Sequence, residues 1–157
     1  MAYNFIAGHY AITIGGVSVG TTEEGVEMTP SFFRDPVKVD EFGDTEVDAV
    51  FRGYGHHIAF NLSEWNAAGR DAILHFYDST IGTIANVGKL MVVGSLVKSL
   101  VLTPALSGTG QFTYTFSVGP DQNHGPWQLR TRLRVVRCSL MAYPDSTGNL
   151  YTRSGGA

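Results

Sequence analysis

The sequence predicts a mainly β protein, a β-sandwich or barrel with one packed α-helix and a long hairpin arm. Three observations predict it. The 157 residues include 19 Gly, which favours tight turns over long helices. Apolar residues recur with a period of two in one segment after another, the pattern of half-buried strands. Only one stretch, roughly 62–77, changes to helical spacing. The length fits a single domain, 1–157, able to bury its own core. Charged residues make up only 16%, against about 25% in an average soluble domain, so much of the surface is suited to being covered by a partner.

The elements follow in chain order. Ala11-Ile12-Thr13-Ile14 alternates, Gly15-Gly16 offers a tight turn, and Val17-Ser18-Val19 returns, so 10–19 is a hairpin. Gly20 and Gly25 bracket a polar bend. From Val26 the alternation resumes, with Val26, Met28, Pro30 and Phe32 on one side and Glu27, Thr29, Ser31 and Phe33 on the other. Pro30 cannot donate to a ladder, so this strand belongs at an edge or an irregularity. Residues 33–50 form the arm: two β-patterned runs rich in acid around a Gly43-Asp44-Thr45 turn, with few apolar residues to anchor it. In the next strand Ile58, Phe60 and Leu62 share one face and His57, Ala59 and Asn61 the other.

Asn61-Leu62-Ser63-Glu64 fits a capping box. Trp65, Ala68, Ala72 and Phe76 then follow at spacings of three and four, so the apolar face of the helix covers one sheet. Gly69 weakens that helix by about 1 kcal/mol relative to Ala. Further strands are expected at Lys89–Val93, Leu96–Thr103, Gln111–Val118 and Gln128–Ala142. A turn near Pro144–Gly148, a short final strand and a frayed Gly155-Gly156-Ala157 end complete the chain.

Charge divides the sequence. Residues 1–78 hold 12 acids and 4 bases, and residues 79–157 hold 2 acids and 7 bases. Nine of the acids lie between Glu23 and Asp48, while Arg130, Arg132, Arg134 and Arg137 gather late in the chain. Two readings stand. The halves attract each other between copies, in a contact where one face meets a different face of the next. Or they pair within one fold, and the Arg residues protect an ordinary edge.

Little in the sequence points to catalysis or to a cofactor. His56 and His57 are adjacent on a strand and point to opposite faces. There is no HExxH, no paired Cys motif and no Gly-x-Ser-x-Gly elbow, so we expect neither metal, cofactor nor enzymatic activity. The single Cys138 lies in an apolar run and is expected to be buried and inert. The N-terminal Met1-Ala2-Tyr3-Asn4 lacks a basic, apolar leader, so a start in a cytoplasm is expected. No apolar run approaches the roughly 18 residues of a membrane span.

The run Ile14 to Thr29, with its Gly20-Thr21-Thr22-Glu23 bend, resembles the opening of the bacteriophage major tail proteins, the tail tube family. Val37-Lys38-Val39-Asp40-Glu41-Phe42-Gly43-Asp44-Thr45-Glu46-Val47-Asp48 is similar to that family's acidic arm. Leu100–Pro104, Leu140–Asp145 and Gly148–Tyr151 extend the likeness in order along most of the chain. Pro30 and Phe32-Phe33 depart from it.

The resemblance implies a structural protein of the virion tail, assembled in the host cytoplasm. Six copies would form a ring, and rings would stack into a tube. The tube would house the tape measure protein and conduct the genomic DNA without binding it specifically. Tail terminator and baseplate proteins, and a sheath protein in a contractile tail, would be its other partners. Val39, Asp40, Glu41, Phe42, Gly43, Asp44 and Thr45 would then pack on neighbouring subunits. Arg130, Arg132, Arg134 and Arg137 would attract that arm. Glu27, Thr29, Ser31, His57, Asn61, Thr113, Thr115 and Ser117, opposite the apolar faces, would line the lumen. Two alternatives remain at this point. One is a related ring protein, a terminator or a baseplate-proximal tube component. The other is a β-sandwich ligand-binding module that uses Trp127 near Asp121, Asn123 and His124.

Overall fold

A computed structural model describes residues 10–64, 67–69, 72, 90, 92, 96–105, 111–121 and 136–156. Within them the chain runs β1 (Tyr10–Ile14), β2 (Val17–Ser18), β3 (Thr21–Lys38), a 3-10 turn (Asp40–Phe42), β4 (Glu46–Glu64), β5 (Lys98–Pro104), β6 (Phe112–Pro120), β7 (Val136–Tyr143) and β8 (Tyr151–Gly155). All pairings are antiparallel, in the order β2-β1-β5-β6-β7-β4-β3. β6 has a divided margin. Its C-terminal half, Ser117–Pro120, pairs β7, and its N-terminal half, Phe112–Phe116, pairs β8.

The expected sandwich or barrel is, among the described residues, one open sheet with β2 and β3 at its margins. Alternation reports one buried face and one polar face. It does not report whether the buried face meets a second sheet. Here that face gathers Ile12, Ile14, Leu100, Leu102, Phe116, Val118, Leu140, Ile58, Phe60 and Leu62 into a single core cluster. Cross-strand pairs such as Ile12 with Leu102, Leu100 with Phe116 and Ile58 with Leu140 set this register. A one-residue slip in any of them would turn the whole apolar set to water.

Local chemistry explains most of the turns. Gly15 and Gly16 both take positive φ (59° and 82°), as a two-residue hairpin turn requires. Between β7 and β8, Asp145 Oδ1 accepts from the Thr147 hydroxyl (2.7 Å), the Thr147 amide (2.8 Å) and the Asn149 amide (2.9 Å). These donors, the Thr147 hydroxyl foremost, hold the Asp145 carboxyl below its usual range. The polar bend expected between Gly20 and Gly25 is instead the start of β3, with a bulge between Glu23 and Val26. Gly155, expected to fray, closes β8 by pairing Phe112.

The capping box does not form. β4 runs through Glu64, where Asn61 pairs Arg137, Leu62 pairs Val136 and Glu64 pairs Thr21. Sheet ladders on both sides outweigh a local cap worth about 1 kcal/mol. Residues 67–69 and 72 are helical. The expected inward face is corrected there: Ala68 is exposed, while Gly69 is buried and Ala72 packs against the core. A Cβ on Gly69 would stand 2.8 Å from the Ser18 carbonyl oxygen and 2.8 Å from Val19 Cα. Trp65 and Phe76 lie outside the described residues. So do most of Lys89–Val93, where Leu90 and Val92 belong to no strand, and the first part of Gln128–Ala142.

Candidate functional site

The expected arm is part of a longer hairpin. β3 and β4 pair from Thr21 with Glu64 out to Lys38 with Glu46. β3 is a sheet margin, as Pro30 requires, and Pro36 also lies on it. Bulges interrupt its ladder between Phe33 and Arg34 and between Val37 and Lys38, and Gly53 sits opposite at φ 126°. Such interruptions protect an exposed margin from indiscriminate pairing.

The tip is a compact turn. The Phe42 amide donates to the Val39 carbonyl (3.0 Å) and the Gly43 amide to that of Asp40 (3.2 Å). The Thr45 amide donates to the Phe42 carbonyl (3.3 Å), and Gly43 takes φ 62°. Val39, Asp40, Glu41, Phe42, Gly43, Asp44 and Thr45 are all exposed. Three ion pairs brace the hairpin: Arg34 with Glu46, Lys38 with Asp44 (3.3 Å) and Arg52 with Asp35 (3.0 Å). All three lie within the acidic half of the chain, so they do not pair one half with the other. Among the described residues Asp40 and Glu41 meet no base, and the tip remains acidic.

One face of the hairpin continues the core outward as an aromatic stripe. Phe51 stacks on Tyr54, Tyr54 meets the edge of His56, and His56 meets Tyr151 at 5.2 Å between centroids. Phe116, Tyr114 and Phe112 extend it inward. At its outer end Phe32 is 72% and Phe51 64% exposed. A groove of about 660 Å³ opens there, lined by Phe32, Phe51, Tyr54, His56, Tyr151, Asn149 and Arg153. The Arg153 guanidinium lies 4.7 Å over the Phe112 ring. Gly156 makes room for that ring, since a Cβ there would overlap it. Nδ1 of His56 is buried with no hydrogen-bond partner among the described residues, and burial lowers the His56 pKa. Sequence reading missed this groove. Phe32, Tyr54 and His56 carry the right parity for it, but Tyr151 and Arg153 arrive from β8, far along the chain.

The other face of the sheet is polar, and the structure brings the expected lumen residues together on it. Glu27 pairs Ala59, Thr29 pairs His57 and Ser31 pairs Gly55. Asn61 and His57 pair Arg137 and Met141. Ser117 pairs Tyr143, and Thr115 and Thr113 follow on the same side of β6. Arg137 shares this face and, with Glu27 and Asn61, lines a hollow of about 400 Å³. Arg130, Arg132 and Arg134 lie outside the described residues, as do Asn123, His124 and Trp127.

His56 and His57 do diverge, and His57 joins a buried carboxylate. His57 Nδ1 lies 3.0 Å from Asp121 Oδ2, and the Ser139 hydroxyl donates to the same oxygen at 2.9 Å. His57 and Ser139 both address the carboxylate, so the serine-to-histidine order of a nucleophilic triad is not what these contacts form. Burial, together with the nearby Asp121 charge, raises the Tyr143 pKa. The Asp121 side chain is buried. Among the described residues no three His, Cys, Asp or Glu gather as metal ligands, and no helix is long and apolar enough to cross a membrane. No protein-family model matches the chain, and no curated protein matches it.

Proposed function

We propose that the chain is a self-assembling structural subunit, the ring-forming protein of a phage tail tube, with its hairpin as the assembly element. One observation carries this reading. The outer hairpin forms a long, bulged ladder whose two faces both leave apolar side chains in water: Phe32, Phe51 and Tyr54 on one, Phe33, Val37 and Val50 on the other. Isolated two-stranded hairpins are marginal in water, and contiguous exposed apolar surface marks an interface. A neighbouring subunit supplies the missing cover on both sides. The motifs that resemble the tail tube family give that neighbour its identity: another copy, in a ring of six.

In such a ring the polar face of the sheet is the candidate wall of the lumen. Its hydroxyls at Thr29, Ser31, Thr113, Thr115 and Ser117 offer passing DNA little to hold, because phosphate affinity comes mainly from Lys and Arg. Arg137 places one base on that wall beside Glu27. Tape measure, terminator and baseplate proteins are the partners this reading proposes, with no chemistry assigned to the chain itself.

The test is electron microscopy and gel filtration of the purified protein. Rings or tubes are expected. Replacing Val39–Glu46 by a two-residue Asn-Gly turn should leave a folded monomer that no longer assembles, because the residues removed bury nothing in the monomer core. A wild-type protein that stays monomeric at every concentration, or a shortened variant that builds normal tubes, refutes the reading.

A further inference from the structure

The hairpin tip and the aromatic groove are complementary, and they cannot meet within one chain. The tip presents Phe42, 61% exposed, beside Asp40 and Glu41, which pair with no base among the described residues. The groove presents exposed rings, Phe32, Phe51 and Tyr151, around Arg153, which among the described residues pairs with no carboxylate. An aromatic, acidic projection thus faces an aromatic, basic recess. Between them on β3 stands Phe33 to Lys38, laddered to β4 from Phe33 with Gly53 to Lys38 with Glu46. At about 3.3 Å per residue this stretch holds the tip roughly 20 Å beyond the groove. Folding back would break that ladder and two of the ion pairs on it.

We propose that the tip of one copy docks in the groove of the next, with Phe42 covered by the rings and Asp40 and Glu41 facing Arg153. The inference rests on the assembly reading above and names the surface that receives the arm. The contact is heterologous, so each copy both gives a tip and receives one, and the chain of contacts closes into a ring or continues along a stack. Arg153 is suited to the task because its guanidinium is already stacked on Phe112 and loses little freedom when an acid arrives. Exposed ion pairs contribute little, so Phe42 carries most of the contact and the charges set its direction.

The test compares the concentration at which assembly begins, by light scattering and sedimentation, for F42A, R153E, a D40K/E41K pair and R137E. All these positions are exposed, and circular dichroism checks that each variant folds. F42A and R153E should each raise the threshold by about tenfold or more, equivalent to about 1.4 kcal/mol. Combining D40K/E41K with R153E should recover part of the loss, and R137E should assemble as the wild type does. If the wild type assembles and F42A and R153E do so at the same concentration, the docking is wrong and the assembly reading stands. Loss of assembly in R137E alone would send the acidic tip to the basic strand and overturn the docking too. A wild-type monomer, or a monomer that binds oligosaccharides through Phe32 and Tyr54, overturns both.

Discussion

Replacing Gly69 by Ala sets two effects of opposite sign against each other. In an exposed helix the change stabilises by about 1 kcal/mol, because Ala loses less backbone freedom on folding than Gly. Gly69 is not exposed. The added methyl would stand 2.8 Å from the Ser18 oxygen, 2.8 Å from Val19 Cα and 2.9 Å from the Val19 carbonyl carbon. All three are backbone atoms, so no side chain can rotate aside. Val19 itself is fully buried, which prevents the β2–β3 link from moving outward. Relief requires the helix to withdraw by more than half an ångström, loosening Ala72 from the core. Overpacking of this kind costs about 1–3 kcal/mol, so the contact outweighs the propensity. We expect a net loss of up to about 2 kcal/mol, or a melting temperature lower by up to roughly 8 °C. Urea unfolding of G69A followed by circular dichroism measures it, with A68G as the control that reports propensity alone. A G69A protein more stable than the wild type by about 1 kcal/mol would refute close packing of the helix on the β2–β3 link.

Burial pushes the Cys138 thiol up to about 12. The native protein should therefore resist a thiol reagent at pH 8 that labels it fully in denaturant, and fast native labelling would contradict the burial. The sign of the linkage follows: the neutral thiol is favoured in the fold, so this contribution is complete below the ordinary thiol range and is lost as pH rises toward 12. His56→Phe should stabilise by about 1 kcal/mol, since it replaces an unpartnered buried nitrogen among Tyr54, Phe116 and Tyr151. Because burial depresses the His56 pKa, stability in the wild type is lost as pH falls below 6.5, and the advantage of the variant should widen there. A difference independent of pH in denaturant titrations would reject that assignment. On the tube reading proposed above, Ser117→Arg on the polar face should leave assembly unchanged but slow genome release from particles carrying it, most strongly at low salt. Release at wild-type rates would argue that Ser117 does not face the DNA.

Much of the sheet was legible because alternation is a local signal. Val26 to Phe33 and His57 to Leu62 present the faces that their patterns predict, and Gly15-Gly16 turns where it should. What failed was decided by distant neighbours. Asn61-Leu62-Ser63-Glu64 reads equally well as a cap and as a strand end, and ladders to β3 and β7 settle it as strand. Gly69 reads as a flaw in a helix until Val19 is seen against it. The polar face needed only parity, so its members could be named from sequence. The groove needed parity in β3 and β4 together with the arrival of β8 beside β6, and no local pattern announces that meeting.

The order of the sheet also sets a timetable for synthesis. β3 and β4 are consecutive, so their hairpin can close as soon as Glu64 has left the ribosome. β1 must wait for β5, which begins at Lys98, and β4 for β7, which begins at Val136. At about 5–20 residues per second these delays run from roughly four seconds to more than fifteen. Through that interval the buried stripe of β4, Ile58-Phe60-Leu62, is flanked by β3 alone. Nascent chains on one message hold their hairpins close together, each with an open β3 margin. The two prolines, the bulges and the acids on β3 then act as a guard between unfinished siblings.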